Sequence, residues 1–414
     1  GSTTYSYGAY GPKKITSPNG SFEYAYNGKG QITEIKDELG RKIKYAYKND
    51  LVTAITDPVG RVQKYEYDVA QRLTKETSFD GQTVTYLYNN LGLLQEKQYA
   101  DQSKEKYVYD STRQLTKNTL RDGTSIEYTY HPGGQLAKTI NELGEVTAYK
   151  YDNMGNVIQV TDPAGGITSY EYDGTGAVKA IINPLQEKVQ YQYDALGRIV
   201  KIIGQQNSTL SYEYDQQSRL VKTVEPIGRI HTWSYNTEEN STTYTRPDGT
   251  KQHYYYDKRG QLLEFVNAEG EKTTWEYDKI GRPTTMMDAL GQKTITTYNN
   301  LDQIIKETLP NNTSVEYQYD DLGRLKEIMN PLGQKTSLSY DDFGRIIKTA
   351  DLRGETTYTY DVMDRVLSMT NALQNTMKWT YDKLGRVKDI TDPLKGQTEY
   401  HYNALGQVDY VKQS

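Results

Sequence analysis

The sequence contains no cysteine among its 414 residues, which excludes disulfides and thiolate metal sites but leaves the cellular compartment open. It also lacks any apolar run approaching the roughly 20 residues that a helix needs to cross a bilayer. Because glycine or proline recurs at short intervals, no apolar stripe at helical spacing is sustained. The 49 basic and 54 acidic residues are interleaved, so no basic field for nucleic acid or an anionic membrane is visible.

Motifs for catalysis and metal binding are equally scarce. The four histidines have no metal-ligand spacing, and a solvated surface role is favoured for them. No Ser–His–Asp or Cys–His set, no glycosidase carboxylate pair and no phosphate-binding glycine loop stands out. We therefore predict no catalytic, cofactor-binding or metal-binding residue, no cofactor, and a protein that is not an enzyme. The histidines are His131, His231, His253 and His401.

Tyrosine, by contrast, is abundant, with 40 residues. One tyrosine, here called the repeat tyrosine, recurs every 21 residues, with two intervals of 20 and a first interval of 19. A fixed period in the range of roughly 20–50 residues indicates a repeat architecture. The repeat tyrosines are Tyr7, Tyr26, Tyr47, Tyr67, Tyr88, Tyr109, Tyr130, Tyr151, Tyr172, Tyr193, Tyr214, Tyr235, Tyr256, Tyr277, Tyr298, Tyr319, Tyr340, Tyr360, Tyr381 and Tyr402.

In the clearest units an aromatic residue precedes the repeat tyrosine by two positions, and aspartate, glycine and arginine follow it. We predict structural roles for these residues in three units: Tyr191, Tyr193, Asp194, Gly197 and Arg198; Tyr317, Tyr319, Asp320, Gly323 and Arg324; Tyr381, Asp382, Gly385 and Arg386. The aspartate and arginine suggest an ion pair that clamps a turn, worth only about 0–1 kcal/mol where exposed. The spacing recurs in Asp68/Arg72, Asp194/Arg198, Asp215/Arg219, Asp278/Arg282, Asp320/Arg324, Asp341/Arg345, Asp361/Arg365 and Asp382/Arg386.

Each unit is predicted to be a β-hairpin. Residues 189–193 alternate between large and polar side chains, which is the period-two pattern of a strand. Residues 194–197 carry the aspartate and glycine of a tight turn, and residues 198–202 predict the second strand. A return turn with proline and glycine, such as residues 162–165, then reverses the chain again.

Several units depart from this pattern. The segment Lys48-Asn49-Asp50 lacks the turn glycine, and Asp302 and Asp364 occupy the glycine position. We predict altered turns at these places. The 20-residue units are predicted to have lost one residue each.

Stacked side by side, the hairpins predict an all-β fold. The repeat tyrosines would form ladders across a long antiparallel sheet. Strand twist would coil that sheet into a hollow, shell-like spiral without a dry core, a form of β-solenoid. We predict that residues 1–4 are a tag remnant, beginning with Gly1 and Ser2, and the start of the array. Residues 5–414 would form a single array of about 20 units cut from a longer protein.

Three tryptophans are candidates for ligand binding. Trp233, Trp275 and Trp379 each lie two residues before a repeat tyrosine, where tyrosine is usual. The simpler interpretation makes them members of the aromatic ladder. Exposed aromatic rings also stack on sugars, so these three residues are our candidate ligand-stacking positions.

The motif Tyr-x-Tyr-Asp-x-x-Gly-Arg-aliphatic, followed by Asp-Pro-x-Gly, resembles the YD-repeat signature of the rearrangement-hotspot (Rhs) family. That family includes bacterial polymorphic toxins, wall-associated proteins, components of insecticidal Tc toxins, and the teneurins of animals. The resemblance implies a spiralling β-sheet that builds a hollow shell around a C-terminal effector in toxins, or a scaffold for adhesion in teneurins. The family's core-end motif for self-cleavage is not found, since the segment 392–396 leads into an ordinary repeat.

Three functions follow from these observations. The first is a non-catalytic shell or carrier segment of a secreted or cell-surface bacterial YD-repeat toxin. Its partners would be a C-terminal effector cargo or adjoining repeats of the same protein, with no nucleic acid and no membrane span. The alternative is an adhesin-like module that binds carbohydrate or a cell surface. An enzyme acting on polysaccharide or peptide bonds is the third alternative.

Overall fold

The structure, a computed structural model, describes residues 3–17 and 20–414. Gly1 and Ser2, the predicted tag remnant, lie outside the described residues. The described chain contains forty β-strands and one short 3₁₀ turn at Gln205–Asn207. In this part of the chain no helix is long and apolar enough to span a membrane.

The chain divides into two compact units, both built from the same hairpin repeat. The first comprises Gly1–Lys104, Thr237–Ser241 and His253–Met377, and the second comprises Glu105–Asn236, Thr242–Gln252 and Lys378–Ser414. In chain order, the first twenty strands are β1 Thr4–Tyr7, β2 Pro12–Ser17, β3 Gly20–Tyr26, β4 Ile32–Lys36, β5 Lys42–Lys48, β6 Leu51–Thr56, β7 Val62–Tyr67, β8 Leu73–Thr77, β9 Thr83–Tyr88, β10 Leu94–Tyr99, β11 Lys104–Tyr109, β12 Leu115–Thr119, β13 Ser125–Tyr130, β14 Leu136–Ile140, β15 Val146–Tyr151, β16 Val157–Thr161, β17 Ile167–Tyr172, β18 Val178–Ile182, β19 Lys188–Tyr193 and β20 Ile199–Ile203.

The remaining twenty are β21 Thr209–Tyr214, β22 Leu220–Val224, β23 Ile230–Asn236, β24 Ser241–Thr245, β25 Lys251–Tyr256, β26 Leu262–Val266, β27 Lys272–Tyr277, β28 Pro283–Met287, β29 Lys293–Tyr298, β30 Ile304–Thr308, β31 Ser314–Tyr319, β32 Leu325–Met329, β33 Lys335–Tyr340, β34 Ile346–Asp351, β35 Gly354–Tyr360, β36 Val366–Thr370, β37 Thr376–Tyr381, β38 Val387–Thr391, β39 Gln397–Tyr402 and β40 Val408–Gln413.

Within each unit, strands that follow one another pair in antiparallel fashion. In the hairpin β19–β20, Tyr191 lies opposite Ile202 and Gln192 opposite Lys201. The register then shifts, so that Tyr193 lies opposite Ile199. The same β-bulge accompanies the repeat tyrosine in the equivalent hairpins of both units. The prediction of an all-β fold of tandem antiparallel hairpins is confirmed.

Two kinds of turn connect the strands, and both have the same geometry. We call the turn after a repeat tyrosine the YD turn and the other the return turn. In the YD turn at 194–198, the Gly197 amide donates to the Asp194 carbonyl at 3.0 Å, and the Asp194 amide donates to the Arg198 carbonyl at 3.0 Å. Gly197 has a φ of 77°. This is a type I turn closed by a residue in the left-handed region.

The predicted alterations of the turns are correct at one place and wrong at two. At 48–51, Asn49 and Asp50 both have positive φ, and Lys48 pairs directly with Leu51, so a two-residue turn replaces the usual one. Asp302 and Asp364, however, keep the ordinary turn, with φ of 62° and 63°. Aspartate tolerates the left-handed region better than most residues, so the hydrogen bonds of the turn outweigh the local strain.

Little of this protein is fully buried. Among the described residues, Ala180 is the buried hydrophobic residue, and no large side chain is completely enclosed. Strands such as β7 and β11 alternate between half-buried and exposed residues, whereas β4, β8, β12 and β20 are half-buried at every position. The expectation that no dry core forms is confirmed, so stability must come from contacts that every repeat makes with the next.

Candidate functional site

The aspartate of the YD turn organises the local backbone. In the turn of Asp194, Oδ1 accepts from the amides of Leu196 and Arg198 at 2.9 and 3.0 Å, and Oδ2 accepts from Arg198 Nε at 2.7 Å. These bonds, led by the one from the Arg198 side chain, hold the pKa of Asp194 below its ordinary value of 3.8. All eight Asp/Arg pairs named from the sequence are ion pairs, with N···O distances of 2.6–2.7 Å.

The arginine of the turn also reaches the next repeat. Arg198 Cζ lies 4.6 Å from the ring centroid of Tyr214, the following repeat tyrosine. A guanidinium over an aromatic face is attracted by the quadrupole of the ring, and the attraction is stronger when the pair is partly desolvated. Among the described residues, seven repeats share this contact at 4.2–5.0 Å: Arg72/Tyr88, Arg198/Tyr214, Arg219/Tyr235, Arg282/Tyr298, Arg324/Tyr340, Arg345/Tyr360 and Arg386/Tyr402.

The hydroxyl of the repeat tyrosine reaches back to the preceding repeat. Tyr193 Oη donates to the carbonyl of Val178 at 2.8 Å, and Tyr214 Oη donates to that of Ile199 at 3.0 Å. These carbonyls lie at the β-bulge, where the strand leaves its regular ladder and an acceptor would otherwise need water. In the described part of the chain, fifteen repeat tyrosines make this bond, at 2.6–3.0 Å.

These contacts differ from the ladder of stacked rings that the spacing predicts. The guanidinium of the preceding repeat lies over the ring of the repeat tyrosine, and the tyrosine hydroxyl donates to a backbone carbonyl of that same repeat. The sequence does hold a signal for the hydroxyl bond, because its acceptor lies 15 residues before the tyrosine in thirteen of these repeats. Sequence reasoning missed it because strand alternation says nothing about hydroxyl partners.

Replacing Tyr193 with phenylalanine tests the hydroxyl bond. The ring and its packing stay, while the bond to the Val178 carbonyl is lost, so we expect a local destabilisation of about 0.5–1.5 kcal/mol. Hydrogen exchange should become faster in the 178–193 hairpins and remain unchanged in distant repeats, because repeat arrays distribute their stability among neighbours. Tyr7→Phe is the matched control, since Tyr7 is largely exposed. Equal exchange in both variants would contradict this role.

The three tryptophans lie on different strands and have different neighbours. Trp275 lies opposite Met286, and Trp379 lies opposite Ile390. Trp233, on β23, is the one with a described ring cluster: its centroid lies 5.2 Å from Tyr244 and 6.4 Å from His231. All three tryptophans are half-buried. They therefore offer one aromatic cluster rather than one shared surface.

A series of hydrogen-bonded polar side chains borders the Trp233 cluster. His231 Nδ1 lies 2.6 Å from Tyr244 Oη, and His231 Nε2 lies 3.0 Å from Glu225 Oε1. The bond from Arg229 leads the interactions that lower the pKa of Glu225. No group of three or more histidine, aspartate or glutamate side chains suited to a metal ion occurs among the described residues.

A seam within the first unit joins turns that are far apart in sequence. Arg41, which follows the glycine of a return turn, donates to the Asn300 carbonyl at 3.3 Å and pairs with Asp302 at 2.5 Å. In the next two return turns, Arg61 and Gln82 occupy the same position. They donate to the carbonyls of Leu322 and Asp342. The partners are 259–261 residues apart, which is about twelve repeats.

The seam explains the aspartate found in a glycine position. Asp302 Oδ1 accepts from Arg41 at 2.5 Å across the seam and from Arg282 at 2.8 Å in the preceding repeat. Burial opposes the charge of Arg41, but the bonds to Asp37 and Asp302 outweigh it and raise the Arg41 pKa. Charges of alternating sign thus run from Asp37 through Arg41 and Asp302 to Arg282.

The turn glycines allow the seam contact to be tested with a matched pair. A Cβ on Gly323 would lie 2.6 Å from Arg61 Nη1, whereas a Cβ on Gly197 would meet nothing within 4 Å, and their φ angles are 78° and 77°. Alanine at either position should cost about 1–2 kcal/mol of left-handed strain. Only Gly323→Ala should also displace Arg61 and speed hydrogen exchange in the return turn 57–61. The seam interpretation fails if Gly197→Ala exposes that turn equally.

Comparison with known families supports the repeat pattern directly. Residues 171–353 match the Teneurin YD-shell family. The RHS Repeat family matches residues 47–83, 130–167 and 151–187. Comparison with curated proteins gives no significant match.

One solved structure shares the fold of this chain. The chain is similar to part of a chain in the structure of the Photorhabdus luminescens Tc holotoxin pore, which carries a TccC3 mutation. The similarity covers all of this chain and 26% of that one, with a TM-score of 0.72 and 14% sequence identity. This chain is also similar over its whole length to 35% of a chain in the crystal structure of TcdB2-TccC3-TEV, with a TM-score of 0.45 and 13% identity. The chain thus spans about a quarter to a third of the chains that it matches.

The repeated hairpins and their YD turns are those of a YD-repeat array. The resemblance to the Rhs and YD-repeat family is confirmed, because both the Teneurin YD-shell and the RHS Repeat families match this chain.

Proposed function

We propose that this protein is a non-catalytic wall segment of a YD-repeat toxin shell, which carries or encloses a C-terminal effector. The seam is the observation that carries the proposal. A sheet without a core cannot close around itself by apolar burial, so a wall needs polar contacts at its rims. Arg41, Arg61 and Gln82 supply such contacts in the first unit.

The contacts between successive repeats suit a wall as well. Many repeats contact the next through an arginine on a tyrosine ring, a tyrosine hydroxyl that donates to a backbone carbonyl, or both. These bonds run along the sheet and make a continuous layer without an interior core. We propose a bacterial, secreted or cell-surface location, consistent with such a role, and an effector or adjoining repeats as partners.

Protection of a fused cargo tests the carrier role. A small reporter protein is joined either after Ser414 or at the N-terminus, and protease digestion of the reporter is followed over time. We expect the C-terminal reporter to survive at least about tenfold longer than the N-terminal one. The seam variant Arg41→Glu/Arg61→Glu should shorten that survival. Equal digestion of the two reporters would contradict enclosure, and small-angle scattering from a solid globule would contradict a shell.

A second candidate function is carbohydrate binding, and the Trp233 cluster favours it. The His231 and Tyr244 rings are nearly parallel, at 4°, and Trp233 lies beside them with polar groups at the border. Aromatic faces with neighbouring polar side chains suit sugar rings. Glycan-array binding that Trp233→Ala abolishes and Trp275→Ala preserves would support this function. Binding that neither substitution changes would exclude this cluster as the site.

A further inference from the structure

The two rims that form the seam recur, uncovered, elsewhere in the first unit. At the seam, the return turns at 37–41, 57–61 and 78–82 meet the YD turns at 299–303, 320–324 and 341–345. Among the further return turns of the same unit, those at 288–292, 330–334 and 371–375 carry a leucine as their third residue, and the turn at 309–313 lies between the first two. The unit also contains further YD turns at 68–72 and 89–93. We call the three leucine-bearing return turns the free return rim and these two YD turns the free YD rim.

The free return rim carries the same chemistry as its seam counterpart. At the seam, two of the three return turns offer an aliphatic residue beside a side-chain donor, Leu39 with Arg41 and Val59 with Arg61, and the third has Asp80 beside Gln82. The free rim offers Leu290 with Gln292, Leu332 with Gln334 and Leu373 with Asn375. Gln82 shows that a glutamine in this position donates to a YD-turn carbonyl.

The exposed fraction of the aliphatic turn residues differs between the seam and the free return rim. Leu39 and Val59, at the seam, are 42% and 49% exposed, whereas Leu290, Leu332 and Leu373 are 80–81% exposed. The free YD rim shows the same difference. Its Leu91 is 57% exposed, while Leu301 and Leu322, in the equivalent position at the seam, are half-buried. Leucines lined up at one edge and exposed to this extent are typical of an unfilled contact.

We propose that the free return rim of one molecule binds the free YD rim of a second copy of this chain. The contact would repeat the chemistry of the seam: Gln292 or Gln334 would donate to a YD-turn carbonyl near Leu91, and the facing leucines would cover one another. Continuity with the seam selects this occupant, because the same unit already joins these two kinds of rim through the same side-chain positions. Since the two rims differ, the association is head-to-tail and can extend beyond a dimer.

Sedimentation velocity of the full chain over a concentration series tests the association. The wild-type protein is expected to form dimers and larger head-to-tail species as its concentration rises. Leu290→Glu/Leu332→Glu on the return rim should weaken self-association by about tenfold or more, because it buries charge against leucine. Leu91→Glu on the YD rim should have the same effect. Leu196→Glu is the control, since Leu196 is a leucine of a YD turn in the second unit and is 71% exposed, against 57% for Leu91.

Mixing the two rim variants gives the decisive result. Each variant retains the rim that the other has lost, so a mixture should form one-to-one dimers that grow no further. Circular dichroism of each variant checks that the fold is intact. A wild-type protein that stays monomeric would overturn the proposal. So would association that the rim variants leave unchanged, or a mixture that forms no dimer.

Discussion

Above pH 10 the protein is expected to lose its fold cooperatively as its tyrosines ionise. Burial raises the pKa of several of these side chains, to about 12 for Tyr86. For Tyr317, the bond to the Glu307 carboxylate is the main cause and again gives a pKa of about 12. The raised values belong to Tyr47, Tyr65, Tyr86, Tyr88, Tyr109, Tyr130, Tyr172, Tyr193, Tyr277, Tyr298, Tyr317, Tyr319, Tyr340 and Tyr360.

The direction of the effect follows from linkage. A raised pKa in the folded state contributes stability that is fully present below the unfolded value of about 10. That stability is lost as pH rises through the folded values, up to about 12. Ionised hydroxyls could no longer donate to the bulge carbonyls. Many small losses along one array should therefore add up to unfolding.

Tyrosinate absorbance and circular dichroism, recorded together across an alkaline titration, measure this effect. We expect the absorbance to rise late and steeply, in step with the loss of sheet signal. The variant Tyr317→Phe should shift the transition, while Tyr7→Phe should not. If the tyrosines titrate near pH 10 while the sheet signal persists, then their hydroxyls do not stabilise the fold.

Replacing Asp320 with alanine is expected to be the most damaging single substitution in a YD turn. Oδ1 of Asp320 accepts from the amides of Leu322 and Arg324 at 3.0 and 2.8 Å, and Oδ2 accepts from Arg324 Nε at 2.7 Å. The same turn presents the Leu322 carbonyl to Arg61 at the seam. Losing these bonds should cost about 1–3 kcal/mol in a half-buried turn.

Asparagine at this position is the matched control. In the native turn of Asn330, Oδ1 accepts from the amides of Leu332 and Gln334, both at 3.0 Å, so Asp320→Asn should keep the turn. It should lose only the ion pair, within about 1 kcal/mol. Hydrogen exchange across 320–324 and the midpoint of urea unfolding measure both variants. Equal losses would show that the turn depends on charge and not on geometry.

The pair also has a defined pH dependence. Burial opposes the charge of Asp320, but the backbone and side-chain bonds from Arg324 outweigh it and lower the Asp320 pKa below 3.8. A lowered folded pKa gives stability that is present above the ordinary value and lost as pH falls through the folded value. The advantage of the wild-type protein over Asp320→Asn should therefore disappear in acid below about pH 4.

Sequence reasoning succeeded where the determining contacts are local. Period-two alternation at 189–193, glycine at 197 and the four-residue spacing of Asp194 and Arg198 are all features of one hairpin. They gave the strands, the turn and its ion pair. Sequence reasoning failed where a rule about a single residue type was applied without regard to the hydrogen bonds around it. The expectation of altered turns at Asp302 and Asp364 treated a missing glycine as decisive, although the surrounding hydrogen bonds hold aspartate in the same conformation.

By itself, the 21-residue period of tyrosine, aspartate, glycine and arginine determined an all-β array of hairpins, because strand alternation and turn chemistry act over a few residues. Only the tertiary structure decided what each tyrosine binds, and which distant turns meet. The carbonyl beneath Tyr193 Oη becomes available through a bulge in the neighbouring hairpin. The contact of Arg41 with Asp302 spans 261 residues, so it depends on twist accumulated over many strands, which no single repeat encodes.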